Sequence, residues 1–277
     1  MDSLARVRGL TPGWETDLAI LELGGSTVED RGDHLVVRTP ANPDFHWGNC
    51  LLVLDPATVD DAQRWVDAFG QAFPAAGWVS IGLPVLPADA AAWARHGVRL
   101  ELDEVLTTRT LPVQTPVPDG YAVRRIDGAD WEHVVAKEMA DNARTGEYET
   151  VGHERFVRAM VVTRAQLSER GVAAFFGAFR GGRLVADLGI VRCGSRARYQ
   201  AVGTDPEHRG RGLASHLVGV AAAWAAERGC EEWVIVTAST NPAGRVYRRA
   251  GFAPDAANVE AYRAPGPTTL GGAAAPA

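Results

Sequence analysis

Arg209, Gly210, Arg211, Gly212, Leu213 and Ala214 lie between a strand-like run, Arg198 to Thr204, and a long apolar helical run, Ser215 to Ala226. A glycine-rich turn that opens a helix is suited to holding phosphate. The first-turn N–H groups have no partner within the helix, and the positive end of the helix dipole points at the same place. Gly210 and Gly212 let the main chain approach an anion that a Cβ would block. Arg209 and Arg211 add positive charge matched to a diphosphate. Two familiar phosphate patterns fail: the chain has neither the Gly-Lys-Ser/Thr of a P-loop nor the Gly-x-Gly-x-x-Gly of a dinucleotide fingerprint.

The stretch resembles the pyrophosphate loop of the GNAT superfamily of acyl-CoA N-acyltransferases. That pattern is Arg or Gln, two residues, Gly, one residue, then Gly or Ala, and Arg209, Gly212 and Ala214 satisfy it. Thr204 to His208 before the loop and Val246 to Phe252 after it keep the family's order, and the likeness runs roughly from Tyr121 to Ala264. It implies acetyl-CoA as cofactor. Arg209, Gly210, Arg211, Gly212, Leu213, Ala214 and Ser215 would hold its diphosphate, and the backbones of Val202 and Thr204 would meet the pantetheine arm.

The resemblance also places Tyr247, four residues before Gly251, as the proton donor to the leaving thiolate. Asn241 corresponds to an asparagine that contacts the pantetheine arm. It precedes Tyr247 by six residues where the family has seven, which lands on Thr240, and either residue could instead cap a helix with Pro242 in its first turn. In direct transfer an uncharged amine attacks the thioester carbonyl, so the enzyme must position, deprotonate and protonate. The strand before the loop carries no carboxylate to act as base. Asp187, Glu147, Glu149 or a water chain are the alternatives. Asp141 to Thr150 would overhang the acceptor, and its carboxylates suit a cationic amine. The function implied is acetyl transfer from acetyl-CoA to the amine of a small molecule or peptide in a ternary complex. The alternative is a non-catalytic coenzyme A-binding sensor or scaffold.

The elements that must position these residues divide into two halves. Three prolines between Pro112 and Pro118 forbid a continuous helix. The expected organisation is a degenerate GNAT-like domain over residues 1–112, a linker over 113–120, the acetyltransferase domain over 121–264 and a disordered tail over 265–277. The fold class is α/β with a mixed sheet, two GNAT-like domains in tandem. In the first half, strands are expected at Leu35–Arg38, Leu51–Leu54, Trp78–Leu83 and Val98–Thr107, with helices at Val59–Phe73 and Ala88–Arg95. In the second, strands are expected at Ala122–Ile126, up to Thr204, at Trp233–Thr237 and at Val259–Arg263, with a hairpin across Ala173–Val191 turned at Gly181-Gly182. The helices there are Ala129–Ala140, Glu154–Glu169, the loop helix and Ala243–Ala250.

Both halves run strand, helix, strand, helix, glycine, strand. Asp55-Pro56 matches Asp205-Pro206, and His96-Gly97-Val98 matches Ala250-Gly251-Phe252. Where the second half has its Arg-Gly-Arg-Gly loop, the first has Ala57 to Asp61, without glycine and with two carboxylates at a helix start. Those carboxylates would cap the helix themselves and repel a diphosphate.

Composition bounds the partners. Of 277 residues, 34 are acidic and 28 basic, with no basic run, so nucleic acid is an unsuitable partner. Cys50, Cys193 and Cys230 form no metal or disulfide spacing, which points to a reducing cytoplasm and no metal site. No apolar run is long enough for a membrane span and no signal sequence is evident. A monomer or homodimer is expected.

Overall fold

The computed structural model describes residues 9–265. The expected tail therefore falls, apart from Pro265, outside the described residues. In chain order the elements are α1 (Pro12–Leu23), β1 (Thr27–Asp30), β2 (His34–Arg38), β3 (Cys50–Val53), α2 (Ala62–Ala72), β4 (Val79–Leu83), α3 (Ala90–Ala94) and β5 (Arg99–Thr108). There follow β6 (Ala122–Arg125), α4 (Asp130–Thr145), α5 (Thr150–Glu169), β7 (Ala173–Arg180), β8 (Arg183–Cys193), β9 (Arg196–Thr204), α6 (Leu213–Ala226), β10 (Glu232–Ala238), α7 (Gly244–Arg249) and β11 (Ala253–Arg263).

All eleven strands belong to one sheet, in the order β1-β2-β3-β4-β11-β5-β10-β9-β8-β7-β6. Two half-sheets meet at its centre, each ended by the other half's last strand. β5 closes antiparallel on β10, β11 closes antiparallel on β4, and the two exchanged strands pair with each other. The repeated units thus form a strand-exchanged pseudo-dimer within one chain, and the seam between β5 and β11 is its pseudo-dyad.

Local chemistry explains most boundaries. α2 begins at Ala62 rather than Val59 because Asp61 caps it, accepting from Arg64 N; the residues before it form a 3₁₀ turn over Pro56–Thr58 capped by Asp55. α5 begins at Thr150, earlier than periodicity suggests, because Glu149 accepts from the N–H groups of Val151 and Gly152. α1 and β1 are absent from the periodicity reading. Thr11 caps α1 by accepting from Trp14 N, and Pro12 starts it. α1 lies across the seam, where Gly13 sits so close to Asn258 and Val105 that a Cβ would come within 2.8 Å of either.

The linker is held against the second half. Gly219 on α6 lets Gln114 pass where a Cβ would lie 2.4 Å from its Cα, and Nδ1 of buried His216 bonds the Thr115 carbonyl. That contact explains why α6 is apolar almost all round: sheet on one side, linker on the other. His216 is a packing residue. The hydrophobic core under α6 and α7 includes Leu213, Leu217, Val218, Tyr199, Trp233 and Tyr247. A second core, under α2 and α3, is built on Trp65, Phe69, Ile81 and Trp93.

Candidate active site

β9 and β10 run parallel but pair only from Arg196 opposite Glu232 to Arg198 opposite Val234. β9 continues to Thr204 and β10 to Ala238, so the strands fork open toward their C-terminal ends. A bulge in β9, opposite Asp187 to Gly189, turns the backbone within the fork. Ala201 in that bulge has φ of 49°, the one positive φ outside glycine among the described residues. A Cβ disfavours that geometry, and such strain clusters at functional sites.

Buried Lys137 and Asp187 shore up the bulge from below, with Nζ and Oδ1 3.1 Å apart. Gly203 must be glycine for this pair to fit, since a Cβ there would meet Lys137 Nζ at 2.7 Å. Burial raises the Asp187 carboxyl pKa while Lys137 opposes the rise. Burial also disfavours the Lys137 ammonium, but the carboxylates of Asp187, Glu138 and Asp141 together outweigh it and hold that pKa above its ordinary value. Asp187 is therefore engaged in a buried ion pair.

At the fork's mouth the chain passes through a 3₁₀ turn, Pro206–His208, into the glycine loop. Gly210 and Gly212 have φ of 72° and 82°, which L side chains rarely adopt. Nothing lies within 4 Å of a Cβ built on Gly210, and only Pro118 Cγ, at 3.9 Å, near one on Gly212. No side chain caps α6. The N–H groups of its first turn therefore face an open cradle with Arg209 and Arg211 beside it. Arg209 Nε donates to the Thr204 carbonyl at 3.1 Å, which ties the loop to the end of β9. These residues fit a diphosphate. Val202 and Thr204 lie on the forked stretch of β9, and Ser215 lies in the first turn of α6.

Tyr247 on α7 is buried in the α6 core, and its hydroxyl has no hydrogen bond among the described residues. Burial pushes its phenol up to about 12, so it keeps its proton at neutral pH. Asn241 Oδ1 accepts from Ala243 N at 2.9 Å. This bond closes a local turn before α7, whose N-cap residue Ala243 supplies no side-chain cap, and it leaves the Asn241 amide N–H groups available to a ligand. His208 Nδ1 is 2.9 Å from the Tyr121 hydroxyl, and Cys193 is a free thiol raised by burial to about 12. Neither arrangement builds a nucleophile.

Beyond the fork, a cavity of about 680 Å³ opens between the halves. Its walls include His46, Trp47 and Trp78 from the first half, Glu147 and Tyr148 from the loop between α4 and α5, and Glu260 and Tyr262 on β11. Of the two glutamates expected to face the acceptor, Glu149 spends both oxygens capping α5, while Glu147 lines the wall. The first-half residues and Glu260 escaped sequence reading because only strand exchange brings them to this site.

Residues 137–252 match the acetyltransferase (GNAT) family model. The chain carries a GNAT acetyltransferase domain. That domain spans the fork, the glycine loop and Tyr247. Over 189 residues the chain is 29% identical to mycothiol acetyltransferase of Clavibacter sepedonicus, covering 64% of this chain; it spans 58% of that relative's length. Among solved structures, a GCN5-related N-acetyltransferase from Kribbella flavida superposes with a TM-score of 0.64 at 18% identity, covering 93% of this chain and 97% of that one. A tandem GNAT protein from the clavulanic acid biosynthesis pathway gives 0.52 at 17% identity, covering 90% and 88%. At such identities these two establish the fold alone, and both matches extend over both halves. Among the described residues, no helix is long and apolar enough to cross a membrane and no group of side chains could hold a metal ion.

Proposed function

We propose that this protein transfers an acetyl group from acetyl-CoA to the amine of a small molecule or peptide, by direct transfer in a ternary complex. The observation that carries the reading is the uncapped start of α6 beside an open glycine cradle, at the mouth of a forked pair of strands. Acetyl-CoA supplies the acetyl group as an activated thioester. Arg209 to Ser215 hold its diphosphate through backbone N–H groups and two guanidinium groups. Val202 and Thr204 offer the pantetheine arm the backbone groups that the fork leaves free of β10, and Asn241 offers its amide nitrogen. Tyr247, protonated at neutral pH, provides the proton for the departing sulfur. The three cysteines are unpaired, which suits a cytoplasmic enzyme.

Isothermal titration with acetyl-CoA, beside a folded Gly210→Val/Gly212→Val variant, tests the reading. Micromolar binding that the variant loses is the expected result, followed by release of free thiol when an acceptor amine is added. Binding without thiol release across a panel of amines would favour the sensor. No binding by the natural sequence removes both readings.

A further inference from the structure

The cavity between the halves presents five carboxylates; three are already engaged, and a fourth, Glu147, is exposed to solvent. Asp44 pairs with Arg155, its Oδ2 3.0 Å from Nε, and Glu101 with Arg99 at 3.1 Å. Glu149 caps α5, and Glu147 is exposed in the loop beside Tyr148. Glu260 has neither hydrogen bond nor ion pair among the described residues. It stands on β11 opposite Glu101, at the seam, with Gly82 of β4 on its other side. Asp17 of α1 and Asp103 of β5 add negative charge around it, while Arg198 of β9 opposes them and pairs with Asp17 at 3.0 Å. His46 adds no cation, because burial lowers its pKa against the pull of Asp44.

Position connects this group to the fork. Asp103, two residues along β5 from Glu101, pairs with Ala238 at the end of β10. The register therefore sets Glu101, a cavity residue, two positions along β5 from the residue paired with the end of β10. Its walls are aromatic, with His46 stacked on Trp78 at 4.3 Å and its Nδ1 2.8 Å from the Tyr262 hydroxyl. Two wall residues also carry unsatisfied polar atoms: Trp78 Nε1 and His153 Nε2 are out of solvent and have no partner.

We propose that this cavity binds a primary amine that is cationic in water and carried on a flat, ring-bearing body, and that Glu260 takes the proton from its ammonium group. This rests on the acetyltransferase reading. In the step, one ammonium N–H bond breaks and one O–H bond forms on Glu260, leaving a neutral amine with its lone pair free. Burial, with the carboxylates of Asp103, Asp17 and Glu101, raises the Glu260 pKa to about 8; its own proton leaves to solvent as the ammonium binds, and the carboxylate so formed has the basicity to accept the ammonium proton.

The test is isothermal titration of the full chain with tyramine, and with tyrosol, in which a hydroxyl replaces the ammonium. Measurements in buffers of different ionisation heat count the protons released. At pH 7 Glu260 is largely protonated in the free protein, so pairing with the tyramine ammonium should expel nearly one proton; at pH 9.5 it should expel almost none. Tyramine should bind at least tenfold more tightly than tyrosol. Glu260→Gln should abolish proton release and weaken tyramine binding roughly 10- to 100-fold, the effect of a lost charged hydrogen bond. Glu260→Asp should restore part of both, and Glu101→Gln should change proton release little. Equal binding of the two ligands, or unchanged proton release in Glu260→Gln, overturns the proposal. Acetyl-CoA titrated in parallel separates the cases: bound acetyl-CoA with no tyramine binding sinks only the acceptor site, while no acetyl-CoA binding sinks the acetyltransferase reading itself.

Discussion

The same frame serves opposite purposes in the two halves. In the second half, β9 and β10 fork and α6 begins at an uncapped glycine loop. In the first, β3 and β4 pair at Leu51 opposite Ile81 and Leu52 opposite Gly82, and each strand ends one residue beyond that pair. No fork develops there. The loop matching the pyrophosphate loop is pinned from below: Trp65 Nε1 donates to the Thr58 carbonyl at 2.9 Å and Trp93 Nε1 to the Val59 carbonyl at 3.0 Å. Trp93 holds the place of Tyr247, since both carbonyls receive the N–H of the residue after the helix-ending glycine, from Val98 and from Phe252. One half leaves its cleft open with a tyrosine at the base. The other fills it with two indoles and becomes a wall of the cavity between the halves.

The contrast can be broken most completely at the loops. Gly210→Val with Gly212→Val should eliminate measurable acetyl-CoA binding while circular dichroism stays unchanged, because valine cannot adopt those φ values and its side chain fills the cradle. Asp60→Gly with Asp61→Gly in the other half should create no second site, since the stoichiometry stays fixed by the single fork. A second equivalent of bound acetyl-CoA would contradict this account.

Trp93→Ala should cost about 3–5 kcal/mol in denaturant unfolding, as for a fully buried indole with its N–H bonded. The exchanged strand contributes a pH dependence. Glu260 has a folded pKa of about 8 against an ordinary 4.5, so the folded state binds more protons between those values. Stability is therefore fully present below about 4.5 and falls as pH rises from there through about 8, by roughly 5 kcal/mol. Glu260→Gln should flatten that slope in melting curves. Tyr247→Phe should lower kcat roughly 100-fold, as expected for a lost proton donor, with acetyl-CoA affinity and melting temperature nearly unchanged. Asp61→Ala, which removes the cap of α2, should cost only about 1 kcal/mol.

Much of the fold was legible because local chemistry repeats along the chain. Glycines at positive φ, Asp-Pro steps and alternating apolar runs mark the second half's elements and most of the first's. α1 escaped because its apolar residues serve two cores, Trp14, Leu18 and Leu21 one and Ile20 and Leu23 another, so no single apolar face stands out, while its signal lay in the Thr11-Pro12 start. The loop residues and Tyr247 could be picked out because their spacing is sequential. Ala201 could not, since its strain comes from the bulge against β8 and carries no residue signature.

By itself the sequence determined an anion-binding helix start in the second half and a self-capped one in the first, because capping and φ > 0 are decided within a few neighbouring residues. Only the tertiary structure decided which strands close which half-sheet. Exchange of β5 and β11 is a choice among pairings far apart in sequence, and it alone carries Glu260 and Tyr262 to face His46 and Trp78. A cavity is made by what packs around it, so its charge and its unpaired carboxylate emerge only after both halves have met.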